Sequence, residues 1–274
     1  MVINADSAQV YRDLRVLSAR PLSEDMRGVE HRLFGTWDGA QACSAANWAA
    51  AARAEIADAQ AHDKLPVLVG GTGLYLRTLL DGIAPVPAID PVVREAVRGL
   101  AQAERHAALQ VEDAVAAERI APADTARTAR ALEVVRSTGR PLADWQRERS
   151  GGIGDTVDVR AVILLPDRAA LYRHCNARFA AMLDGGAIEE VAALLARELG
   201  PALPVMRAIG VREITALIRG EATRDEALAA GQQATRNYAK RQFTWLRHQP
   251  PARWLRVQSE SCTQTAIINH ILQD

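Results

Sequence analysis

The stretch Val2-Ile3-Asn4-Ala5-Asp6-Ser7-Ala8-Gln9-Val10-Tyr11-Arg12 gives the strongest indication of the fold. It opens with a short β-branched run, typical of a buried strand, and changes at once to polar residues. In open α/β sheets, ligands bind outside the carboxyl ends of the strands, where Asp6 and Ser7 would lie. A carboxylate in that place can act as a general base or reach a metal, although Asn, Asp and Ser are also ordinary turn formers.

Strand and helix candidates alternate along the rest of the chain. Ser44 is a good N-cap for a helix that runs to about His62, and residues 66–69 form a compact apolar strand candidate. Residues 157–165 alternate and then become fully apolar, which predicts another strand, and Asp167 is placed to cap the next helix. Strands that alternate with helices through short connections favour a parallel sheet.

Changes in composition divide the chain into segments. Residues 81–91 are rich in proline and residues 150–154 in glycine, as is typical of linkers, and the chain between them is rich in Ala, Arg and Glu without a strand candidate. We therefore predict the first part of a core at 1–85, a helical insertion at 86–150 and the second part of the core at 151–274. Arg207-Ala208-Ile209-Gly210-Val211-Arg212 is predicted to open another helix, and the chain ends in a short strand candidate at residues 253–257 and a helix predicted from Thr263.

Composition excludes several classes of protein. The chain has 274 residues, of which 49% are hydrophobic, so it can bury a sizeable core. Lys plus Arg number 33, as do Asp plus Glu, so the formal net charge is zero and any basic surface is local. Cys43, Cys175 and Cys262 lack the spacing of disulfide or zinc motifs, and the six histidines show no metal spacing. No apolar run is long enough to span a bilayer and no signal peptide precedes Asn4, so we expect a cytoplasmic protein.

A glycine-rich loop, Gly70-Gly71-Thr72-Gly73, joins the strand candidate at 66–69 to a helix that starts near Leu74. Glycines let the backbone approach a ligand closely, and free amides at a helix N-terminus favour anions. The Thr72 hydroxyl would be a donor in the same crevice as Asp6. The alternative is a tight turn in which Thr72 caps the helix, but two glycines beside one hydroxyl favour a phosphate-facing loop.

Basic side chains recur at helical spacing in two regions. Arg127 and Arg130 lie three residues apart and share a helical face, for which a merely solvated charged face is the alternative. A long helix predicted over residues 223–248 mixes basic and aromatic residues, a combination that suits RNA backbone contact and base stacking. Phe243 and Trp245 are instead expected to pack inward. The basic residues of this helix are Arg236, Lys240, Arg241 and Arg247.

Five blocks of sequence follow the order found in one known family. They are Ile3-Asn4-Ala5-Asp6-Ser7-x-Gln9-Val10-Tyr11-Arg12, Val67-Leu68-Val69-Gly70-Gly71-Thr72-Gly73-Leu74-Tyr75, Arg127-x-x-Arg130-Ala131-Leu132-Glu133-Val134, Arg207-Ala208-Ile209-Gly210 and Thr235-Arg236-x-Tyr238-Ala239-Lys240-Arg241-Gln242-x-Thr244-Trp245. On these blocks, which cover almost the whole chain, the sequence resembles the tRNA dimethylallyltransferases, also called tRNA isopentenyltransferases. The resemblance implies an α/β fold: a P-loop-kinase-like parallel sheet, truncated at its N-terminus, with a helical insertion subdomain.

The resemblance also implies a reaction. Members of the family transfer a dimethylallyl group from dimethylallyl diphosphate to the exocyclic amine of the adenosine just 3′ of the tRNA anticodon, a base that must leave its stack. Asp6 would be the general base, and Thr72, with Arg178 and Arg207, would contact the diphosphate. The residues implied to contact tRNA are Asp6, Ser7, Ala8, Gln9, Gly73, Arg94, Ala126, Arg127, Thr128, Ala129, Arg130, Arg207, Arg212, Arg236, Lys240 and Arg241.

One family element is missing from the sequence. Members of the family begin with a strand, a phosphate-binding loop of the pattern G-x-x-x-x-G-K-[ST] and a helix, and this pattern does not occur here. The loop cradles the diphosphate and its Ser or Thr holds Mg²⁺, so Mg²⁺ is the expected cofactor without its loop ligand. We therefore predict that the chain, as written, is weak or inactive; separately, we expect a monomer. The alternatives are an enzyme that prenylates free adenine nucleotides, a nucleotide kinase of the same fold, and a non-catalytic tRNA-binding protein.

Overall fold

The β-branched and aliphatic segments form short parallel strands. In the computed structural model, which describes residues 1–258, 267–268 and 271, they are β1 (Val2–Asn4), β2 (His31–Arg32), β3 (Val67–Val69), β4 (Val162–Leu164) and β5 (Leu255–Val257). The order β2-β1-β3 makes one three-stranded sheet, and β4 pairs with β5 in a second sheet. Of the strand predicted at 157–165, only the apolar residues of β4 form a strand pair. The partner strand, β5, has the same length as β4.

The backbone divides into two compact units, residues 1–79 with 157–274 and residues 80–156. The predicted helical insertion at 86–150 lies inside the second unit. The helix predicted from Thr263 begins outside the described residues. No helix in the described ranges is both long enough and apolar enough to cross a membrane.

Two helices of the first unit, α2 (Ala45–Ala61) and α9 (Arg168–Asp184), begin at the predicted capping residues. Ser44 accepts a hydrogen bond of 3.1 Å from the Asn47 amide, and Asp167 accepts one of 2.8 Å from the Ala170 amide, which satisfies amides that a helix start leaves unpaired. Both predicted caps are therefore confirmed. The helices are α1 (Ser23–Met26), α2 (Ala45–Ala61), α3 (Gly73–Asp81), α9 (Arg168–Asp184), α10 (Ala187–Leu195), α11 (Val211–Ile218) and α12 (Arg224–His248).

The sequence predicts that Arg207 opens a helix, but in the structure it does not. It is the last residue of a 3₁₀ helix, Pro204–Arg207, and α11 begins only after Gly210. The reason is the backbone of Gly210, whose φ of 94° is left-handed and suits glycine but interrupts a continuous helix.

The second unit is helical, and the remaining helices pack around its apolar core. They are α4 (Pro91–Gly99), α5 (Gln102–Glu112), α6 (Ala114–Arg119), α7 (Thr125–Thr138) and α8 (Leu142–Trp145). The core contains Val97, Leu109 and Leu132, all fully buried. Beside it, Arg98 donates a 2.9 Å hydrogen bond to the buried Glu133 carboxylate, which compensates that charge within the unit.

Buried polar groups fix the end of β1. Asn4 is fully buried, and its side-chain amide donates to the carbonyl oxygens of Leu33 (3.1 Å) and Asp6 (3.0 Å). The Trp48 indole donates a 2.8 Å hydrogen bond to the Asn4 carbonyl and stacks on Tyr75 with ring centroids 4.6 Å apart. Since these groups are buried and paired, the chain leaves β1 in one defined direction.

Candidate active site

The carboxyl ends of β1 and β3 meet, and their polar continuations lie side by side. The Ala5 amide donates to the Val69 carbonyl at 2.8 Å, and the Thr72 amide donates to the Ala5 carbonyl at 3.2 Å. Pairing thus continues past both strands and brings the segment after β1 against the loop after β3. This is the edge of a parallel sheet at which ligands bind in α/β proteins.

Asp6 is held at this edge by its neighbours. Its amide donates to the Asn4 side-chain oxygen at 2.8 Å, and its carboxylate Oδ1 accepts hydrogen bonds from the amides of Ala8 (2.7 Å) and Gln9 (3.4 Å). The side chain is half-buried, and across residues 1–258 no hydrogen bond reaches the other carboxylate oxygen, Oδ2. One oxygen therefore anchors the group, and the other is available to accept a proton.

Thr72 lies against Ser7, the residue that follows Asp6. The Ser7 amide donates to Thr72 Oγ1 at 2.9 Å, and the Thr72 hydroxyl donates to Ser7 Oγ at 3.2 Å. Thr72 also directly precedes α3, and its carbonyl accepts a hydrogen bond of 2.9 Å from the Tyr75 amide in the first turn of that helix. The structure therefore joins the predicted base and the predicted diphosphate contact in one polar cluster, which we call the Asp6–Ser7–Thr72 cluster.

Ala8 and Gln9 complete the turn after Asp6, and both are half-buried. The Gln9 side-chain amide donates to the carbonyl oxygens of Ser18 (3.1 Å) and Ala19 (3.3 Å). This part of the segment that the resemblance implies as a tRNA contact is thus tied to a second loop. Its contact with a base remains a prediction.

The glycines around Thr72 are needed for close packing within the protein. A Cβ built on Gly70 would meet the Ala5 backbone, one on Gly71 the Gln242 side chain, and one on Gly73 the Trp245 ring. The loop is thus covered by α12, and Trp245 packs inward as predicted. The predicted approach of this loop to a phosphate, and of Gly73 to tRNA, remains a prediction.

Tyr238 is a neighbour of this cluster that was not predicted from the sequence. It lies on α12 near Thr72, Ser7 and Asp6, which all affect its pKa, and its ring lies 5.7 Å from the Arg241 guanidinium. Burial raises the pKa of Tyr238, the Asp6 charge raises it further, and the hydrogen bond with Thr72 acts in the opposite direction. The spacing of Tyr238, four residues before Gln242, was the available signal, because residues at i and i+4 share a helical face.

Arg178 and Arg207 do not join the Asp6–Ser7–Thr72 cluster directly. Arg178 lies on α9 and Arg207 at the end of the 3₁₀ helix, and both are exposed. Arg212 is also exposed and donates at 3.2 Å to Glu213. Neither Arg178 nor Arg207 makes an ion pair or hydrogen bond with the described side chains, so both guanidinium groups can take an anionic ligand.

The arginines of the second unit that are predicted to contact tRNA are Arg94 on α4 and Arg127 and Arg130 on α7, and all three are exposed. Arg127 forms a 3.0 Å ion pair with Asp124, the residue that caps α7. The pKa of Arg130 is lowered first by desolvation; Glu133 opposes this shift, and the neighbouring charge of Arg94 adds to it. The charge of Arg130 is thus influenced by both Glu133 and Arg94.

The remaining residues of this predicted tRNA set are in the first turns of α7. Ala126 is exposed and Ala129 is half-buried. Thr128 is fully buried, and its hydroxyl donates to the Asp124 carbonyl at 2.7 Å. The structure therefore places the Thr128 side chain in the packing of the unit and does not bring it to the RNA-facing surface that the sequence predicts.

Only some of the basic residues predicted along α12 are available to contact a ligand. Arg236 is half-buried and donates at 2.6 Å both to Asn176 on α9 and to Gln233. Lys240 and Arg241 are exposed. Arg236 thus links two helices, and the basic surface that α12 offers to a ligand begins one turn later.

The residues present do not form a complete metal site. Across the described residues there is no cluster of three or more His, Cys, Asp or Glu side chains that could hold a metal ion. The cluster at the strand ends supplies one carboxylate, Asp6, and two hydroxyls. Mg²⁺ prefers near-octahedral oxygen ligands and is often held by one or two carboxylates together with substrate phosphates, so these residues alone do not suffice.

Solved structures resemble this fold over most of its length. The full-length tRNA isopentenylpyrophosphate transferase from Bacillus halodurans is 28% identical with a TM-score of 0.68, covering 98% of this chain and 85% of its own. A eukaryotic dimethylallyltransferase, described as acting on tRNA, is 22% identical with a TM-score of 0.74, covering 89% of this chain and 63% of its own, a likeness of fold alone. The fold is thus that of the P-loop-kinase-like tRNA prenyltransferases.

Sequence relatives agree with the structural comparison. A tRNA dimethylallyltransferase from Novosphingobium aromaticivorans is 63% identical over 273 residues, which is 100% of this chain and 97% of that protein. Another from Erythrobacter litoralis is 64% identical over 259 residues, which is 94% of this chain and 82% of that protein. Residues 9–249 match the family model described as IPP transferase. The chain belongs to the IPP transferase family.

Proposed function

We propose that this protein transfers a dimethylallyl group from dimethylallyl diphosphate to the exocyclic amine of the adenosine 3′ of a tRNA anticodon. The main structural support is the contact between the segment after β1 and the loop after β3, in which Ala5 and Ser7, the two neighbours of Asp6 in the chain, are hydrogen-bonded to Thr72. Curated relatives at 63% and 64% identity are named tRNA dimethylallyltransferase. The residue roles below are part of the proposal.

Asp6 acts as the general base in this proposal. The adenosine amine attacks the first carbon of the dimethylallyl group, a carbon–nitrogen bond forms, and the carbon–oxygen bond to the diphosphate breaks. The amine proton moves to Asp6 Oδ2, the carboxylate oxygen that its neighbouring amides leave available. An adenine amine is barely basic, so a carboxylate fixed by its other oxygen assists chiefly in the transition state.

Thr72 donates a hydrogen bond from its hydroxyl to the leaving diphosphate, whose negative charge grows as the carbon–oxygen bond breaks. The exposed guanidinium groups of Arg178 and Arg207 add positive charge for the same diphosphate. Mg²⁺ is proposed as a cofactor that arrives with the diphosphate, where it would neutralise phosphate charge. No step above depends on it.

Binding of tRNA is proposed for separate basic surfaces of the two units. In the first unit Lys240, Arg241, Arg207 and Arg212 are exposed, and in the second unit Arg94, Arg127 and Arg130 are exposed. Guanidinium and ammonium groups at these positions suit phosphate contacts, whose contribution weakens with salt. The residues from Asp6 to Gln9 would hold the flipped adenine.

A transfer assay with a matched pair of carboxylate variants tests this function. The substrates are dimethylallyl diphosphate, Mg²⁺ and an anticodon stem-loop whose anticodon ends in adenosine. Asp6→Asn keeps an acceptor for the Ala8 amide but loses the base, so transfer should fall by roughly 100-fold or more. The control, Asp63→Asn, changes an exposed carboxylate and should transfer as wild type does.

Other outcomes separate the alternatives. Salt-sensitive binding of the stem-loop without transfer, unaffected by Asp6→Asn, would indicate a non-catalytic RNA-binding protein. Transfer to AMP but not to the stem-loop would indicate an enzyme of free nucleotides, and phosphate transfer from ATP a kinase. The predicted weakness of the chain as written is tested by its rate relative to that of the Erythrobacter litoralis relative, and a normal enzymatic rate contradicts it.

A further inference from the structure

The carboxylate of Glu190 on α10 holds the backbone of a distant loop, residues 15–20, which we call the 15–20 loop. Its Oε2 accepts a hydrogen bond of 2.9 Å from the amide of Leu17. Its Oε1 accepts one of 2.9 Å from the amide of Val16 and another from the amide of Arg15. Consecutive amides that converge on one anion form a concave anion site, which is filled here by a side chain of the same protein.

The second half of the 15–20 loop folds back on the part that this carboxylate holds. The Ala19 amide donates a hydrogen bond of 2.9 Å to the Val16 carbonyl, and the Arg20 amide donates one of 3.0 Å to the Arg15 carbonyl. The carbonyl groups at the end of the loop therefore take their direction from the backbone that the carboxylate binds.

Two of these carbonyl groups orient the side chain of Gln9. Gln9 Nε2 donates to the carbonyl oxygens of Ser18 and Ala19, at 3.1 and 3.3 Å. Because carbonyl oxygens can only accept, the Gln9 amide must turn its NH2 group towards the loop and its Oε1 away from it. Across residues 1–258 no hydrogen bond reaches this Oε1, so the oxygen is available to accept one from a ligand.

Gln9 also lies next to the proposed base in the active site. Its backbone amide donates to Asp6 Oδ1 at 3.4 Å, and it belongs to the segment that is proposed to hold the flipped adenine. The exocyclic amine of adenine has two N–H groups. In the proposed function, on which this inference rests, one of these protons moves to Asp6, so the other N–H needs a separate acceptor.

We propose that Glu190 is a positioning residue for recognition of the adenine amine. Glu190 fixes the 15–20 loop, the loop orients the Gln9 amide, and Gln9 Oε1 accepts the second N–H of the amine. Glu190 acts only through this loop. A purine that lacks the exocyclic amine has no donor for Gln9, so the orientation of this one amide contributes to the choice of base.

Binding of two stem-loops tests the inference in the absence of dimethylallyl diphosphate. They carry adenosine or purine riboside, which lacks the amine, directly 3′ of the anticodon, and the ratio of their Kd values gives the preference for adenosine. Glu190→Gln keeps the size of the side chain but replaces one acceptor oxygen with an NH2 group. It should lower the preference about three- to tenfold, the effect of one hydrogen bond. Glu189→Gln, the same change at the exposed neighbouring residue, is the control and should keep the wild-type preference.

A double variant distinguishes action through Gln9 from an independent effect. Gln9→Met removes the acceptor and should lower the preference by a similar factor, and adding Glu190→Gln to it should lower the preference no further. A merely structural role of Glu190 would weaken binding of both stem-loops equally and leave their ratio unchanged.

Hydrogen exchange of the protein alone gives a second measurement. In Glu190→Gln the amides of residues 15–17 should exchange faster than in the wild-type chain, because they lose part of their acceptor. The amides of α12 should exchange at the wild-type rate, since the change lies outside that helix.

The following results would overturn the inference. They are a wild-type preference in Glu190→Gln, a further loss in the double variant, unchanged exchange at residues 15–17, no preference or no stem-loop binding by the wild-type chain, or loss of the fold in both Glu190→Gln and Glu190→Asp. The proposed function fails separately, in the transfer assay. A chain in which Glu190 controls the preference but which transfers no dimethylallyl group supports this inference and contradicts that function.

Discussion

The backbone amide of Ser7 donates a hydrogen bond of 2.9 Å to the hydroxyl of Thr72, 65 residues further along the chain. This bond joins the two loops that leave adjacent parallel strands, and its acceptor is the side chain proposed to face the diphosphate. A change at Thr72 should therefore affect both stability and activity.

Thr72→Val should lower the free energy of unfolding by about 1–3 kcal/mol, because the part-buried Ser7 amide loses its acceptor. It should also lower the transfer rate by roughly 100-fold, as the loss of one oriented donor commonly does. Thr72→Ser keeps the hydroxyl and is the control. Urea unfolding and the transfer assay measure the two effects, and a fully stable, fully active Thr72→Val protein would contradict both roles.

Gly73→Ala should destabilise the protein by about 1–3 kcal/mol, since the new methyl group meets the rigid ring of Trp245. Gly71→Ala should cost less, because it meets the mobile end of the Gln242 side chain. Gly99→Ala is the control, with nothing within 4 Å of the added carbon and an ordinary helical backbone. Chemical denaturation ranks the three variants, and equal effects at Gly73 and Gly99 would show that α12 does not cover the loop.

Lys240→Gln and Arg241→Gln should each weaken binding of the anticodon stem-loop. Each should also make the plot of log affinity against log salt shallower by about 0.7–0.9, the contribution of one phosphate contact. Arg219→Gln, which changes another exposed arginine at the end of α11, serves as the control. Titrations at several salt concentrations give the slopes, and an unchanged slope in both variants would remove this surface from the proposed RNA contacts.

Asp38 should stabilise the fold at neutral pH but not in acid. A hydrogen bond from the Ala40 amide, followed by the hydrogen bond and charge of Arg197, lowers the pKa of Asp38 below its ordinary value of 3.8. A carboxyl with a lower pKa when folded contributes its full stability above that ordinary value and loses it as the pH falls through the folded pKa. Asp38→Asn should thus be less stable than wild type at pH 7, and the difference should shrink below about pH 4. Melting temperatures of both proteins across this range test the sign, with Asp63→Asn as a control that should show no such convergence.

Local features of the structure were predictable from the sequence because short-range chemistry determines them. The β-branched runs form strands, Ser44 and Asp167 cap helices, and the polar residues after the first strand lie at a sheet edge. The prediction for Arg207 was wrong, because the left-handed backbone of Gly210 separates it from the next helix. The residue pattern fits both a helix that is continuous from Arg207 and a helix that begins after Gly210. The pattern alone therefore does not reveal the interruption.

The sequence by itself determined the strand and helix types, the family resemblance and the identity of the candidate base, Asp6. Only the tertiary structure decided that Ser7 bonds to Thr72, that Gln242 lies beside Gly71, and that Trp245 fills the space beside Gly73. It also buried Thr128, which the family resemblance implies as a tRNA contact. The physical reason is that caps, turns and periodicity depend on residues a few positions apart, whereas these contacts join segments tens to hundreds of residues apart and exist only once the helices pack on the sheet.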